Sequence, residues 1–267
     1  MKSIRYGLGG NSGFTLIELL MVVSIVGMLS SIILASLNNA RENARIAAAM
    51  QYDATVKHSI GDQMVGEWTF DDAGSGTALD TSGFGNNGSF VGTAPVATAG
   101  YNGRSAYSFN NGGILTAFNF STLNTKNWTI SSWILSSNNG GGSSWIFGAA
   151  AGSNFLWGKG TGNSLRAVIN GFLNWDVIPG TAVFDGRWHN VILENANNIA
   201  KIYVDGKLVA TTAAGTPSLT YAMTIGGISG QFWSGKLDDL RIYTSALSLA
   251  EVEKLYAEGQ AKYFAAK

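Results

Sequence analysis

The hydrophobic period of the chain changes once. From Phe14 to Leu37 apolar residues are nearly continuous, about two dozen in a row, enough for a helix to cross a bilayer core. Glu18 is the only charge in that run. A carboxylate facing lipid costs roughly 3 kcal/mol or more, so its presence points to a role. Beyond Leu37, the segment from Asn38 to Met50 has no Gly or Pro and many strong helix formers. Ala40, Ala44, Ala47, Ala48 and Gln51 recur at three- and four-residue spacing, a small-residue stripe against which another backbone can lie. Continuation to about Ile60 predicts a rod of roughly 70 Å, stopped by Gly61 and Asp62. A lone membrane anchor does not need such a rod; a filament subunit does.

After Asp62 the period falls from 3.6 to 2. Glu67–Phe70, Ser105–Phe109, Trp128–Ile134, Ser164–Ile169 and Trp188–Leu193 read as strands between Gly/Asn/Ser loops. The clearest hairpin joins Ala200–Val204 to Lys207–Ala210 through Asp205-Gly206, which supplies the positive φ angles of a two-residue type I′ turn. Ile202 and Val204 should face the core, with Lys201 and Tyr203 outward. Ser248 and Glu251 form a capping box that opens a short helix through about Glu258. About a dozen short strands without alternating helices predict a β-sandwich.

Composition sharpens this division. The charged fraction is 13% and the formal net charge zero, so no electrostatic footprint for nucleic acid exists. Outside the apolar run the chain is rich in Gly, Ser, Thr, Asn and aromatics, with 8 Trp, the composition of an exported all-β domain. Cysteine is absent, which excludes disulfides, Cys-based metal sites and thiol nucleophiles. Lys2 and Arg5 precede the apolar run and predict that this end stays cytoplasmic while the remainder is exported. The run is too long for the usual core of a secretory signal, and no Ala-x-Ala-like site follows it at the right distance.

Gly13-Phe14-Thr15-Leu16-Ile17-Glu18 closely resembles the N terminus of type IV pilins and their pseudopilin relatives. The resemblance implies a leader at 1–13 cut between Gly13 and Phe14 by a prepilin peptidase, and methylation of Phe14. It also implies an assembly role for Glu18, pairing with the N terminus of a neighbouring subunit. Gly27 matches a common family position in the helix, whereas Ala35 stands where many members carry a kinking proline. The transmembrane and filament-core helix is then 14–62.

A second resemblance covers about residues 65–257, within a head at 64–258 that leaves a tail at 259–267. Its pieces are Trp68–Asp72, Asp80–Gly88, Trp128–Trp133, Asp185–His189, Ile202–Lys207, Gly235–Tyr243 and Ala246–Ser248. Their order resembles the laminin-G-like jelly rolls of the concanavalin A-like lectin/glucanase superfamily. The implied fold is a long N-terminal α-helix, half transmembrane and half exposed, followed by an all-β jelly-roll sandwich with a short C-terminal helix. The superfamily is associated with binding glycans or proteins, often with calcium, and some branches are glycosidases.

Three sets of head residues carry candidate chemistry. Asp80, Gly83, Asn86 and Asn87 offer oxygens of the kind calcium takes in sets of 6–8, and Asp71, Asp72, Asp238 and Asp239 could join them if first and last strands adjoin. Strict alternation puts Asp238 on the face of Leu240 and Ile242, where a carboxylate must be paired or bound to metal. The blander reading is Asx-turns at Asp80 and the Asn pair, with Asp238 paired to Arg241 or Arg104. Trp145, Trp157, Trp175, Phe232 and Trp233 lie near Gly-rich loops where ring faces could stack on sugars, although most Trp in a sandwich fill its core. The glucanase pattern Glu-x-Asp-x-x-Glu does not occur, and His189, beside Trp188, reads as a packing residue rather than a general base. No catalytic residue is therefore expected.

The expected protein is a pilin-like subunit, first single-pass in the cytoplasmic membrane with its C terminus outside, then part of a surface filament of pilin subunits. Its head would bind a glycan or a surface protein. A type II secretion pseudopilin shares the N-terminal chemistry, and a membrane-tethered lectin or glycosidase that never polymerises is a third reading.

Overall fold

The computed structural model describes residues 15–101, 103–123, 125–137, 144–149, 155–160, 164–169, 173–177, 183–217, 220–228 and 230–265. The chain divides into two compact units, 1–45 and 46–267.

Helix α1 (Leu16–Ile60) opens on a reciprocal cap. One Glu18 carboxylate oxygen accepts the Thr15 N–H at 2.8 Å and its hydroxyl at 2.9 Å, while Thr15 Oγ1 accepts the Glu18 N–H at 3.3 Å. Ser24, Ser30 and Ser31 turn their hydroxyls back onto the carbonyls of Leu20, Val26 and Met28, so three polar groups are satisfied within the helix. The large apolar side chains described between Leu16 and Leu34 are more than half exposed. Among the described residues no helix is long and apolar enough to cross a membrane. The stretch whose side chains are described without a break, 16–31, is shorter than the roughly 20 residues a span needs.

The head starts with β1 (Met64–Trp68), β2 (Thr77–Ala78), β3 (Gly88–Gly92), β4 (Val96–Ala99), β5 (Ser105–Phe109) and β6 (Gly112–Asn119). There follow β7 (Asn127–Ser137), β8 (Ser144–Ala149), β9 (Phe155–Lys159), β10 (Leu165–Ile169), β11 (Leu173–Val177) and β12 (Asp185–Ala196). The last are β13 (Ile199–Val204), β14 (Lys207–Ala213), β15 (Ala222–Ile225), β16 (Gly227–Ile228), β17 (Gln231–Phe232) and β18 (Gly235–Tyr243), before helix α2 (Leu249–Ala265). One sheet orders β14-β13-β12-β7-β18-β5-β4, with β1 also on β18; the other orders β11-β10-β9-β8-β15-β6-β3-β2, with β16 and β17 beside it. Neighbours far apart in sequence are the mark of a jelly-roll sandwich. The first and last strands adjoin, Trp68 opposite Leu240.

Aromatic rings fill the space between the sheets. Trp68, Phe120, Trp128, Phe155, Trp157 and Trp233 are fully buried there. Phe155 lies 4.7 Å from Phe120 and 5.6 Å from Trp128, centroid to centroid, in tilted and edge-on contacts that rings favour. At the hairpin tip Asp205 has φ +50° and Gly206 φ +75°, the I′ pattern, and Ile202 and Val204 reach the core. Tyr203 turns outward but is buried all the same, because α2 covers it.

Helix α2 is longer than its capping box suggested. Ser248 and Glu251 cap it reciprocally, with the Ser248 N–H 2.7 Å from the Glu251 carboxylate. It then runs past Glu258 through residues first assigned to a tail. Val252 and Leu255 join Ile192, Tyr203, Tyr243 and Leu247 in a second apolar cluster on the outer face of the first sheet. Gly259 permits the continuation: a Cβ there would run into the Trp133 ring. Gly259→Val should therefore push α2 off the sheet and cost about 1–3 kcal/mol, read from urea denaturation of the full chain in detergent.

Candidate functional site

Strand β18 does not alternate strictly, and this relocates the acidic pair. Asp239 adopts φ +51°, and the register against β7 slips between Asp238 and Arg241. Leu237, Leu240 and Ile242 all enter the core, so one residue is absorbed by a β-bulge. Asp238 accordingly lies on the face opposite Leu240 and Ile242, not on theirs. It is fully buried there and accepts the Tyr101 N–H at 2.8 Å. The Tyr101 ring stacks on Trp133 at 3.6 Å, and Tyr256 of α2 stacks on Trp133 in turn, at 5.8 Å.

The same bulge aims Arg241 into a buried ionic cluster. Its guanidinium donates to both oxygens of Glu258 at 3.0 Å and to Asp239 at 3.1 Å. Glu67 of β1 lies 3.1 Å from Nε, with the Thr81 hydroxyl on its other oxygen at 2.8 Å. Burial works against the charge on Arg241, but the carboxylates of Asp239 and Glu258 outweigh it and hold the guanidinium firmly protonated. Arg241 pairs with Asp239, therefore, and not with Asp238.

The Asp80 loop spends its oxygens on backbone. Asp80 Oδ1 accepts the N–H groups of Glu67 and Ser82, each at 2.9 Å, and Oδ2 accepts that of Asn86 at 2.8 Å. Burial pushes the Asp80 carboxyl up, yet the donors from Ser82, Glu67 and Asn86 together hold it below the usual carboxylate value. Asn87 Oδ1 accepts the Asp80 N–H, and Asn86 Nδ2 donates to the Val65 carbonyl, both at 2.9 Å. Gly83, at φ +93°, lets the loop turn. Asp72 accepts from the Leu79 N–H at 2.9 Å and Asp71 faces Arg104 at 2.9 Å. Oxygens aimed at N–H donors are poor cation ligands, and among the described residues no three His, Asp or Glu side chains gather as a metal group. As arranged, the Asp80 loop builds Asx-turns. Asp80→Ala should cost about 1–3 kcal/mol, while calcium against chelator should leave the melting temperature of the full chain in detergent unchanged. A calcium-dependent rise that Asp80→Ala abolishes would contradict this reading.

His189 is a strut. Its Nδ1 is 2.8 Å from Asp205 and its Nε2 3.1 Å from Asp185, which fastens the hairpin tip to the start of β12. The hydrogen bond that His189 donates to Asp205 raises the imidazole pKa most; burial opposes it, and Asp185 adds to the rise above the ordinary 6.5. A raised folded value gives stability that is complete below pH 6.5 and lost as pH rises through the folded pKa. His189→Gln should flatten the stability profile across that window in denaturation titrations.

Burial separates the aromatic candidates. Trp157 and Trp233 are 0% exposed and Trp145 3%, so none offers an open ring face. Trp145 sits with Leu156 on the outer side of the second sheet, its Nε1 donating to Gln231 at 2.7 Å. A register slip between Trp145 and Phe147 explains why alternation could not sort Trp145. Trp175 and Phe232 are half-buried and keep some ring surface. Gly13 and Phe14 lie outside the described residues. Sequence reasoning passed over Lys159, a buried cation whose only signal was its place at the end of an apolar strand.

Comparison with known proteins assigns the sandwich. Residues 109–253 match a laminin-G-like family of the concanavalin A-like lectin/glucanases superfamily. The head belongs to that superfamily. Residues 9–34 match the prokaryotic N-terminal methylation motif. Over 131 residues the chain is 30% identical to the fimbrial protein EcpC of Eikenella corrodens, covering 47% of this chain and 82% of that one. Together these make it a pilin-type subunit with a lectin-like head. Among solved structures, domain 4 of AbnA, a GH43 extracellular arabinanase of Geobacillus stearothermophilus, aligns with TM-score 0.60 at 17% identity over 73% of this chain and 98% of that domain. The binding domain of botulinum neurotoxin DC aligns at 0.60 and 16%, over 75% of this chain and 52% of its own. A Trypanosoma rangeli sialidase aligns at 0.56 and 16%, over 72% and 32%. Identities this low speak for the fold alone.

Proposed function

We propose that the chain is inserted in the cytoplasmic membrane, cut after Gly13, methylated at Phe14 and packed through α1 into a surface filament that displays the head for adhesion. The observation that carries this reading is the methylation motif leading straight into a helix whose described large apolar side chains, from Leu16 to Leu34, are more than half exposed. Neighbouring helices supply cover in a filament, with the stripe from Ala40 to Gln51 as a place of close approach. The fimbrial relative favours a pilus over a secretion pseudopilus. The head acts by binding and not by catalysis: the buried carboxylates of Glu67, Asp239 and Glu258 are committed to Arg241. The partners are other pilin subunits, the prepilin peptidase, and a glycan or surface protein.

Glu18 changes partner in this account. In the uncut chain Thr15 satisfies it. Cleavage creates an ammonium at Phe14, and in an apolar setting opposite charges attract strongly, so Glu18 is free to set register against a neighbour's N terminus. Mass spectrometry of the mature protein should begin at Phe14 and retain 14–37; a product starting beyond Leu37 would reveal an ordinary signal peptide. Glu18→Val should insert normally and fail to assemble, so filaments of wild-type abundance from that variant would reject the role.

A further inference from the structure

Three strands border the first sheet, and they are treated differently. The outer side of β1 is closed by the Asp80 loop. There the Glu67 N–H donates to Asp80, the Glu67 carbonyl accepts the Thr81 N–H at 2.8 Å, and Asn86 donates to the Val65 carbonyl. Strands β14 and β4 end the same sheet, and among the described residues neither has a strand on its far side. Their side chains stand open: Leu208, Thr211 and Ala213 are exposed on β14, and Val96, Ala97 and Ala99 on β4. Such an edge is a row of N–H and C=O groups ready to add another strand.

Proteins that stay single guard open edges with charge, brevity, proline or bulges. The second sheet is guarded at both ends: β2 has two residues and stands close to Asp80, and β11 carries Asp176. The ends of the first sheet carry no such charge. No charged residue stands between Asp80 and Arg104, the stretch that holds β4, or between Lys207 and Lys236, which holds β14 after its first residue. Pro95 and the register slip beside Val209 confine the open stretches to Val96–Ala99 and Ala210–Ala213. Both are small, uncharged and of strand-forming type, so each edge suits the other. Every neighbouring pair from β14 to β4 is antiparallel, and seven strands lie on that path, so β14 and β4 run the same way. Copies that all point one way along a filament therefore bring these edges together in parallel. A contact between two different edges is heterologous: it leaves a free edge for the next copy and does not close.

We infer that the heads of successive subunits join edge to edge, β4 of one copy adding in parallel to β14 of the next, so that one sheet continues from head to head. The inference rests on the reading of the chain as a filament subunit. Thr98 follows Ala97, which lies opposite the core residue Tyr107, and Thr211 and Ala213 flank Thr212, opposite the core residue Ala200. Alternation therefore puts Thr98, Thr211 and Ala213 on the outer face of the sheet. The chain has no cysteine, so paired substitutions report the contact without background. Filaments sheared from cells carrying Thr98→Cys with Thr211→Cys, or Thr98→Cys with Ala213→Cys, are oxidised and run in SDS without reductant. A ladder of linked multimers from at least one pair is expected, because adjoining strands bring Cα atoms within the roughly 7 Å that a disulfide spans. Each of the three cysteine substitutions alone should give only monomer. Adding Thr211→Lys to the Thr98→Cys and Ala213→Cys pair charges the edge and should shrink the ladder roughly fivefold or more. It should leave the melting temperature of the full chain in detergent unchanged, which separates lost pairing from lost folding. Intact filaments with no ladder from either pair would overturn the proposal and leave the filament account standing. Dimers from Thr211→Cys or Ala213→Cys alone would also overturn it, since β14 would then pair with itself in a closed two-fold contact. Wild-type cells without filaments would remove the filament account and this inference with it.

Discussion

One buried guanidinium holds the head together. Arg241 joins Glu67 of the first strand, Asp239 of the last strand and Glu258 of the closing helix, with its side chain 6% exposed. Such a cluster adds little net stability over a well-packed apolar equivalent, because every charge in it has been taken out of water. What it does is exclude alternatives. Any shift of β1, β18 or α2 would strand a charge in the interior, at a cost of several kcal/mol. Without disulfides, that specificity ties the two ends of the head chain to each other.

The cluster depends on a single backbone angle. Asp239 in the left-handed region inserts one residue into β18. Leu240 and Ile242 can then reach the core while Arg241 turns toward α2, and Asp238 turns toward Tyr101. An Asp tolerates that angle better than most residues, and its carboxylate is used at once by Arg241 two positions on. Geometry and electrostatics thus reinforce each other at one point in the chain.

Legibility followed the range of the interactions. Signals confined to a few neighbouring residues were readable: Asp205-Gly206 as a hairpin tip, Ser248 with Glu251 as a helix start, and Gly13 to Glu18 as a pilin-like N terminus. The order of weak motifs from Trp68 to Ser248 was enough to indicate the jelly roll. Features set by distant partners were not readable. The bulge at Asp239 exists because Glu67 and Glu258, far away in sequence, wait for Arg241. The length of α2 depends on Gly259 meeting Trp133. Asp80 looked like a cation ligand because its type fits one, but the backbone N–H groups of Glu67, Ser82 and Asn86 claim its oxygens. For Trp145, Trp157 and Trp233, composition signalled rings near loops, and only the packing tells which way they face.

The two parts of the chain solve opposite problems of burial. The head covers its own rings between two sheets and beneath α2. The apolar half of α1 leaves its side chains open, which is tolerable only in lipid or against other copies of the helix. The central claim is that such copies supply the cover. Immunogold electron microscopy of cells with and without the gene, using an antibody raised against the head, tests it most directly. Gold along the length of surface filaments, absent when the gene is deleted, is the predicted result. Gold confined to the cell envelope, with filaments unlabelled and unchanged by the deletion, would contradict it.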